Sequence, residues 1–531
     1  MSTSTPVSHS VGATPPNNEN VPSRRAFLGL AAGGAVALSP LARRSALLAR
    51  SSAPTGPDWS ALAHDLSGPL IRPGDAAYPV DRRLFDPRFD SLSPAGIAYC
   101  RSPHDVATCL AFVRKYKIPL AARSGGHSYA GWSSNNGGLI VDVTRMNGVT
   151  VSGSTATVGA GTHLIDMYNT LAAHNRMVPG GSCPTVGIAG LALGGGVGVI
   201  ARAHGLTCDA LESVEIVTAN GAVLTCNAKS NSDLFWACRG GGGGNFGVAT
   251  SFTFATSGAT DIVLFFLSWP WSQATKVVSA WQSWAPHAPD ALWSNLHLSA
   301  APGGPTPTIQ VGGTYLGSVG GAANLLDQLY GKIGSHPSGY FLEQTTYLHA
   351  MLVEAGCSSL SVEACHLPTQ TSGGKLGRQP QFAKSDYFTK PLSSAGIHAL
   401  LTGVDNMRRV SGVSGGSGGI AFDALGGAVN RVAPAATAFV HRNALFGAQY
   451  TTDWPTGANA AGVNRQHTWL RSYWSSMRPY ASGQAYQNYV DPDLTNWRQA
   501  YYGANYTRLL TIKKKYDPTR LFTFPQSIGL P

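Results

Sequence analysis

The sequence predicts a globular protein of mixed structure, α+β or α/β, and three observations carry that prediction. Of the 531 residues, 43% are hydrophobic and 12% charged, with 63 Gly and 33 Pro. Such a chain can build a large core, about 3 or 4 domains' worth, and is too apolar for a disordered or collagen-like one. From about Ser91 to Ser257, β-like runs of strand length alternate with helical stretches and Gly-rich turns. From about 260 to 480 the chain is richer in Trp, His and Tyr and keeps strand-like pieces, which marks a second, substrate-facing domain. No internal repeat is visible.

At the N-terminus, Ser23-Arg24-Arg25-Ala26-Phe27-Leu28 leads into an apolar stretch through Leu38, the pattern of a twin-arginine export signal. The stretch is about half of the ~20 residues needed to span a bilayer core, so the expectation is a cleaved signal and linker over residues 1–55. The partner is then the twin-arginine export machinery, and the protein is secreted or extracytoplasmic. That route exports folded proteins, which implies a tightly held cofactor inserted beforehand. Residues 1–50 hold five Arg and one Glu, so the formal charge of +11 leaves +7 downstream. With no basic stripe, a nucleic-acid partner is not expected. No later run is long and apolar enough for membrane insertion. Eight cysteines in an exported chain permit disulfides, Cys100/Cys109 and Cys357/Cys365 being the close pairs.

The first predicted helix is Pro103–Tyr116, with Asp105 in its first turn and Val106, Leu110 and Val113 on one face. Residues 139–143 and 214–218 read as strands, as do 309–313 and 438–450. Residues 411–419 read as a Gly/Ser loop, and Lys513 to Lys515 as a solvated helix face.

Three segments carry the chemistry: RSGGHSY (123–129), GGSCPTVGIAGLALGGGVG (180–198) and RGGGGGNFGV (239–248). Consecutive glycines let backbone N–H groups converge on an anion, which suits a pyrophosphate. Neither GxGxxG after a first strand nor GxxxxGK[ST] occurs, so Rossmann and P-loop folds are not expected.

In their order, together with YQNYVD (486–491), YYGANYTRL (501–509) and QSI (526–528), these segments resemble the FAD-binding domain of the vanillyl-alcohol-oxidase and p-cresol-methylhydroxylase type. More narrowly, they resemble the berberine-bridge-enzyme-like oxidases. The resemblance implies an α+β fold in three parts. These are a two-subdomain FAD-binding domain at 91–257, a substrate domain with an antiparallel sheet at 258–480, and a C-terminal segment at 485–531 that returns to the FAD domain. It implies FAD bound bicovalently, through His127 to the 8-methyl carbon and through Cys183 to the flavin 6 position. Arg123, Ser124, Gly125, Gly126 and Ser128, with Gly187, Gly190, Gly195 and Gly196, are then expected along the phosphates and ribityl chain. Val248, Asn488 and Asn505 are expected nearby, and no metal is.

An alcohol that passes hydride to a flavin must also lose its hydroxyl proton. Tyr489 matches the family's catalytic tyrosine, Tyr129 a substrate-site tyrosine and Gln449 a polar substrate contact. Val186, three residues after Cys183, matches the position that gates oxygen, with Val resembling the oxidases. Val197 replaces an aromatic found in plant relatives, and the family's TxDN becomes Thr207-Cys208-Asp209-Ala210. The expected activity is oxidation of an alcohol or sugar hemiacetal, with molecular oxygen as acceptor and hydrogen peroxide as product. A flavin dehydrogenase using a quinone-like acceptor and a catalytically inactive flavin-binding protein are the alternatives.

Overall fold

A computed structural model describes residues 56–413 and 415–531. The twin-arginine segment lies outside the described residues. Among those described, no helix is long and apolar enough to cross a membrane.

Three larger sheets organise the chain into an α+β fold. The first has four strands, in the order Leu70–Ile71, Gly96–Tyr99, Leu139–Asp142 and Leu120–Arg123, with its last two pairings parallel. The helix Pro103–Tyr116 connects Gly96–Tyr99 to Leu120–Arg123, the two strands that flank Leu139–Asp142 on either side. Its bounds are those predicted, because Ser102 caps it by accepting the Asp105 N–H at 3.2 Å and Lys117 ends it in the left-handed region. The second sheet is antiparallel, in the order Val149–Ser152, Thr155–Gly159, Gly247–Ala255, Leu211–Thr218 and Val223–Asn227.

The third sheet has seven antiparallel strands. Its order is Gly339–Thr345, Ile262–Trp269, Thr308–Tyr315, Leu292–Ala300, Ser417–Ala424, Phe446–Asp453 and Gln381–Phe388. One face carries Phe265, Leu267, Leu296, Leu298, Phe422 and Tyr450 into a core with Trp281, Leu329, Leu400 and Leu470. Those four come from the helices Ala274–Trp284, Val319–Ile333, Ser394–Met407 and Ala460–Met477. Strand side chains alternate between faces, so the residues between them turn the other way. That second face bears the polar residues of the site.

Three local expectations change. The predicted strand at 438–450 begins only at Phe446. Ahead of it the chain is irregular because the N–H groups of Ala438 and Phe439 are spent on the carbonyls of Trp236 and Arg239. Lys513 is not on a solvated face but fully buried, pairing with Asp517 at 2.7 Å and donating to the carbonyls of Asn245 and Phe522. Successive residues on a helix point about 100° apart, so three adjacent lysines cannot share one face. Cys357–Cys365 is a disulfide, whereas the sulfurs of Cys100 and Cys109 lie 4.0 Å apart, unbonded.

Candidate active site

Two Gly-containing loops cross at the heart of the molecule. A Cβ on Gly125 would sit 2.2 Å from the Gly187 nitrogen, and one on Gly187 would sit 2.3 Å from the Gly125 nitrogen. Only glycine allows this backbone-to-backbone approach, and it brings the RSGGHSY and CPTVG segments together. His127 and Cys183 therefore line one cavity of about 660 Å³, a size typical of cofactor pockets. Cys183 is the exposed member of the six free cysteines, and what it is exposed to is this cavity.

Around His127, burial and the neighbouring His163 push the imidazole down to about 3, so the ring is neutral. It stacks on Phe85, centroids 4.2 Å apart, and Nε2 lies 2.8 Å from the Thr185 hydroxyl. Burial pushes the Cys183 thiol up, against the pull of hydrogen bonds from Thr185. Thr185 drew no attention in the sequence, though it sits within CPTVG.

The residues present fit FAD. Among the described residues, the backbone N–H groups of Gly125, Gly126, His127 and Ser128 meet no protein acceptor, and an anionic ligand satisfies such unpaired donors. Gly190 and Gly242 to Gly244 line the same cavity, and a Cβ on Gly190 would project into open space. Val186, Val248 and Asn488 also line it. Arg123 lines it too, but its guanidinium is committed to Asp142 and to the Asp81 carbonyl. Ser124 donates its hydroxyl to the Ala160 carbonyl at 2.7 Å, and Ser128 accepts the Trp132 N–H.

Three of the expected residues make hydrogen bonds within the protein. Gly195 and Gly196 are outside the cavity lining: Gly196 gives its N–H to the Tyr486 hydroxyl at 2.8 Å, and their carbonyls accept from Cys208 and Thr207. Their positive φ values and contact with Phe439 and Thr207 mark a tight structural turn. Asn505 is buried and donates to the carbonyls of Pro434 and Thr437, which pins that loop. Within the altered TxDN pattern, Asp209 forms a two-pronged pair with the buried Arg442, at 2.7 and 2.8 Å.

The polar end of the cavity comes from the seven-stranded sheet. Cross-strand register sets Asn295 opposite Asp423, His297 opposite Ala421, and Ala421 opposite Gln449. Asn295, His297, Asp423 and Gln449 thus share the face turned away from the helices, and all four line the cavity. Gln449 donates to the Tyr129 hydroxyl at 2.7 Å. The Tyr129 and Tyr489 rings are parallel, 5.9 Å apart. Tyr489 is held by the C-terminal segment: Tyr486 packs on it at 4.9 Å, and Asp491 nearby pairs with Lys384 at 2.8 Å.

Sequence reasoning missed Asp423 and Glu354. Burial pushes the Asp423 carboxyl up to about 6. Burial and then Asp423 push Glu354 up to about 7, and its Oε1 has no partner. Neither lies in a local motif. Tyr489 is driven well above the ordinary tyrosine value, first by burial and then by Asp423, Tyr129 and Tyr486. Its phenol stays protonated at neutral pH.

His163, Asp166 and His366 offer ligand atoms within 4.8 Å of one another. Hydrogen bonds already occupy them. His366 bridges the Val362 carbonyl and Asp166, at 2.9 and 3.1 Å, while His163 lies between Asp166 and the Gln370 amide.

A family profile described as FAD binding domain matches residues 94–227, and one described as berberine and berberine like matches residues 485–529. YgaK of Bacillus subtilis, an uncharacterised FAD-linked oxidoreductase, is 33% identical over 477 residues, 87% of this chain and 97% of that protein. Chitooligosaccharide oxidase of Gibberella zeae is 29% identical over 487 residues, covering 87% and 92%. The solved structure of Physcomitrella patens BBE-like 1 superposes with a TM-score of 0.80 at 31% identity, covering 89% of this chain and 99% of that one. Sharing a third of its residues with such a protein over nearly the whole of both chains, this FAD-linked oxidoreductase belongs to the berberine-bridge-enzyme-like family.

Proposed function

We propose that the chain is an exported oxidase that takes hydride from the CH–OH carbon of an alcohol or sugar hemiacetal, with FAD tethered through His127 and Cys183. Reoxidation by molecular oxygen would give hydrogen peroxide. The observation that carries this reading is the shared cavity. The two candidate tethers, the unpaired loop N–H groups and the group Tyr129, Tyr489, Gln449 and Asp423 all line it.

Bound FAD supplies the hydride acceptor. The protein's own task is to take the hydroxyl proton while the carbon surrenders hydride with its electron pair. A buried phenol with a strongly raised pKa is a poor base, so Tyr489 works as a donor and conduit. Asp423, ionised above about pH 6, is the group able to hold the proton. Gln449 fixes Tyr129 beside Tyr489. Asn295, His297 and the partnerless Glu354 supply hydrogen-bonding groups for a hydroxyl-rich substrate. The chitooligosaccharide oxidase relative favours a carbohydrate.

The test is anaerobic flavin bleaching against a panel of sugars and alcohols, followed by admission of oxygen. Bleaching by a reducing sugar, then rapid recovery with stoichiometric peroxide, is the expected result. Bleaching that recovers only with a quinone or dye overturns the oxidase reading, and no bleaching by any compound overturns the enzymatic one.

A further inference from the structure

The polar face of the seven-stranded sheet does not end where the cavity does. From Asp423 outward, register sets Asn295 opposite Asp423, Gly312 opposite Asn295, Phe266 opposite Gly312 and Phe341 opposite Phe266. A second row on the same face runs from Gln449 through Ala421, His297 and Gln310 to Ser268. The inner members of both rows line the cavity, whereas Gln310, Ser268, Phe266 and Phe341 lie beyond it. We infer that the site continues out of the cavity as an open groove along this face, and that the groove takes a chain of linked pyranose sugars. Its end unit reaches Asp423 while a distal unit stacks on Phe266 and Phe341. This rests on the carbohydrate reading above.

Glycine keeps the floor of the groove low. A Cβ on Gly312 would fall 2.7 Å from Asn295 Oδ1 and 3.2 Å from a Phe266 ring carbon, so the two side chains close over a backbone that carries none. Asn295 Oδ1 accepts the Gly312 N–H at 3.0 Å, which orients the amide, and among the described residues its Nδ2 donors meet no protein acceptor. The next row inward, Leu264, Thr314 and Trp293, lies under the helix Tyr347–Glu354, which packs on the strand Ile262–Trp269. That helix forms one wall and ends at the partnerless Glu354. On the other side the groove is open, with His297 and Gln310 exposed.

Chemistry and length together name the occupant. The Phe266 and Phe341 rings lie 5.8 Å apart, tilted by 33°, and Phe341 is 39% exposed, which leaves an aromatic platform at the sheet edge facing water. A pyranose has an apolar C–H face rimmed by hydroxyls. It can lay that face on the platform and turn its hydroxyls to the row of His297, Gln310 and Ser268. Four inter-strand spacings of about 4.8 Å separate Asp423 from Phe341, roughly 19 Å in all. A single sugar cannot touch both ends, and a chain of several can. An aromatic alcohol would fill the cavity alone and gain nothing from the strip outside it.

The experiment measures kcat and KM of the flavin-loaded full chain on β-linked oligomers of glucose and of N-acetylglucosamine, from the monosaccharide upward, for wild type, Phe341→Ala and Phe341→Trp. Calorimetric titration with the same oligomers after borohydride reduction, which removes the hemiacetal, reads binding apart from turnover. In wild type KM should fall about 10-fold or more with chain length and level off once the sugar spans the strip. Phe341→Ala should raise KM for the long oligomers about 5-fold and weaken binding of their reduced forms by the same factor, while kcat and the monosaccharide KM hold. Phe341→Trp, which keeps an aromatic face, should match wild type. Phe341 stands at the exposed sheet edge, so its truncation spares the core. Gln310→Ala, also exposed, checks the polar row with the same expected pattern. Flavin bleaching by no sugar overturns the carbohydrate reading and the groove with it. Bleaching by sugars with KM independent of chain length, or long oligomers bound equally by wild type and Phe341→Ala, overturns the groove alone.

Discussion

Gln449 and Tyr129 are joined by a 2.7 Å hydrogen bond although 320 residues separate them. Gln449 projects from the seven-stranded sheet and Tyr129 ends the loop that carries His127, so this bond ties the polar face of the sheet to that loop. Gln449→Leu strips the donor and leaves a buried hydroxyl facing an apolar side chain, a change that costs about 1–3 kcal/mol. We expect KM for the best substrate to rise roughly 10-fold while covalent flavin content holds. An unaltered KM in steady-state kinetics contradicts the positioning role of Gln449.

The two proposed tethers should be separable. Acid-precipitated wild type should stay yellow, as should His127→Ala and Cys183→Ala, because each single variant keeps one bond to the flavin. The double variant should release its flavin to the supernatant. Colourless wild-type precipitate counts against both attachments.

Proton removal should follow Asp423. Its carboxyl is pushed by burial to about 6, above the ordinary ~3.9, so it is protonated below that pH and ionised above it. The anaerobic reduction rate should rise with pH through about 6 and then level off. Asp423→Asn should lower the plateau by ~10² to 10⁴ and flatten the profile, the usual scale for loss of a general base. Tyr489→Phe should lower the rate but leave the pH limb in place, because the limb belongs to the carboxylate. A limb near 6 that survives in Asp423→Asn moves the base elsewhere, with Glu354 next.

Oxygen reactivity should depend on Val186, which lines the cavity beside the CPTVG turn. Val186→Leu adds a methylene to a close-packed wall and should slow stopped-flow reoxidation by at least ~10-fold, about 1.4 kcal/mol of barrier. Substrate reduction should stay nearly constant. Equal reoxidation rates would show that oxygen does not pass this residue.

Lys513 offers a test of the fold apart from the chemistry. Its ammonium is fully buried against Asp517 and two carbonyls. Lys513→Met leaves the Asp517 charge unpaired, a loss of about 3–5 kcal/mol, and thermal unfolding should show a clearly lowered midpoint. An unshifted midpoint would mean that Asp517 finds another partner.

What the sequence determined by itself is what short-range chemistry encodes. The helix Pro103–Tyr116 was legible from the acidic residue in its first turn and its apolar period, and the strands from their β-branched runs. RSGGHSY and CPTVG were legible as anion-cradling loops because glycine freedom and a reactive side chain sit within a few residues of each other. The long-range contacts were not. Asp423, Asn295 and His297 carry no motif, and they meet only because antiparallel register sets Asn295 against Asp423 and His297 against Ala421. Gly196 and Asn505 sit in the expected motifs, yet their hydrogen bonds go to Tyr486 and to a neighbouring loop. Lys513 went from surface to core because the helix turned it toward Asn245 and Phe522. Tertiary packing decided these cases, because a polar atom's partner is whatever the fold brings within about 3 Å, and distance along the chain does not encode it.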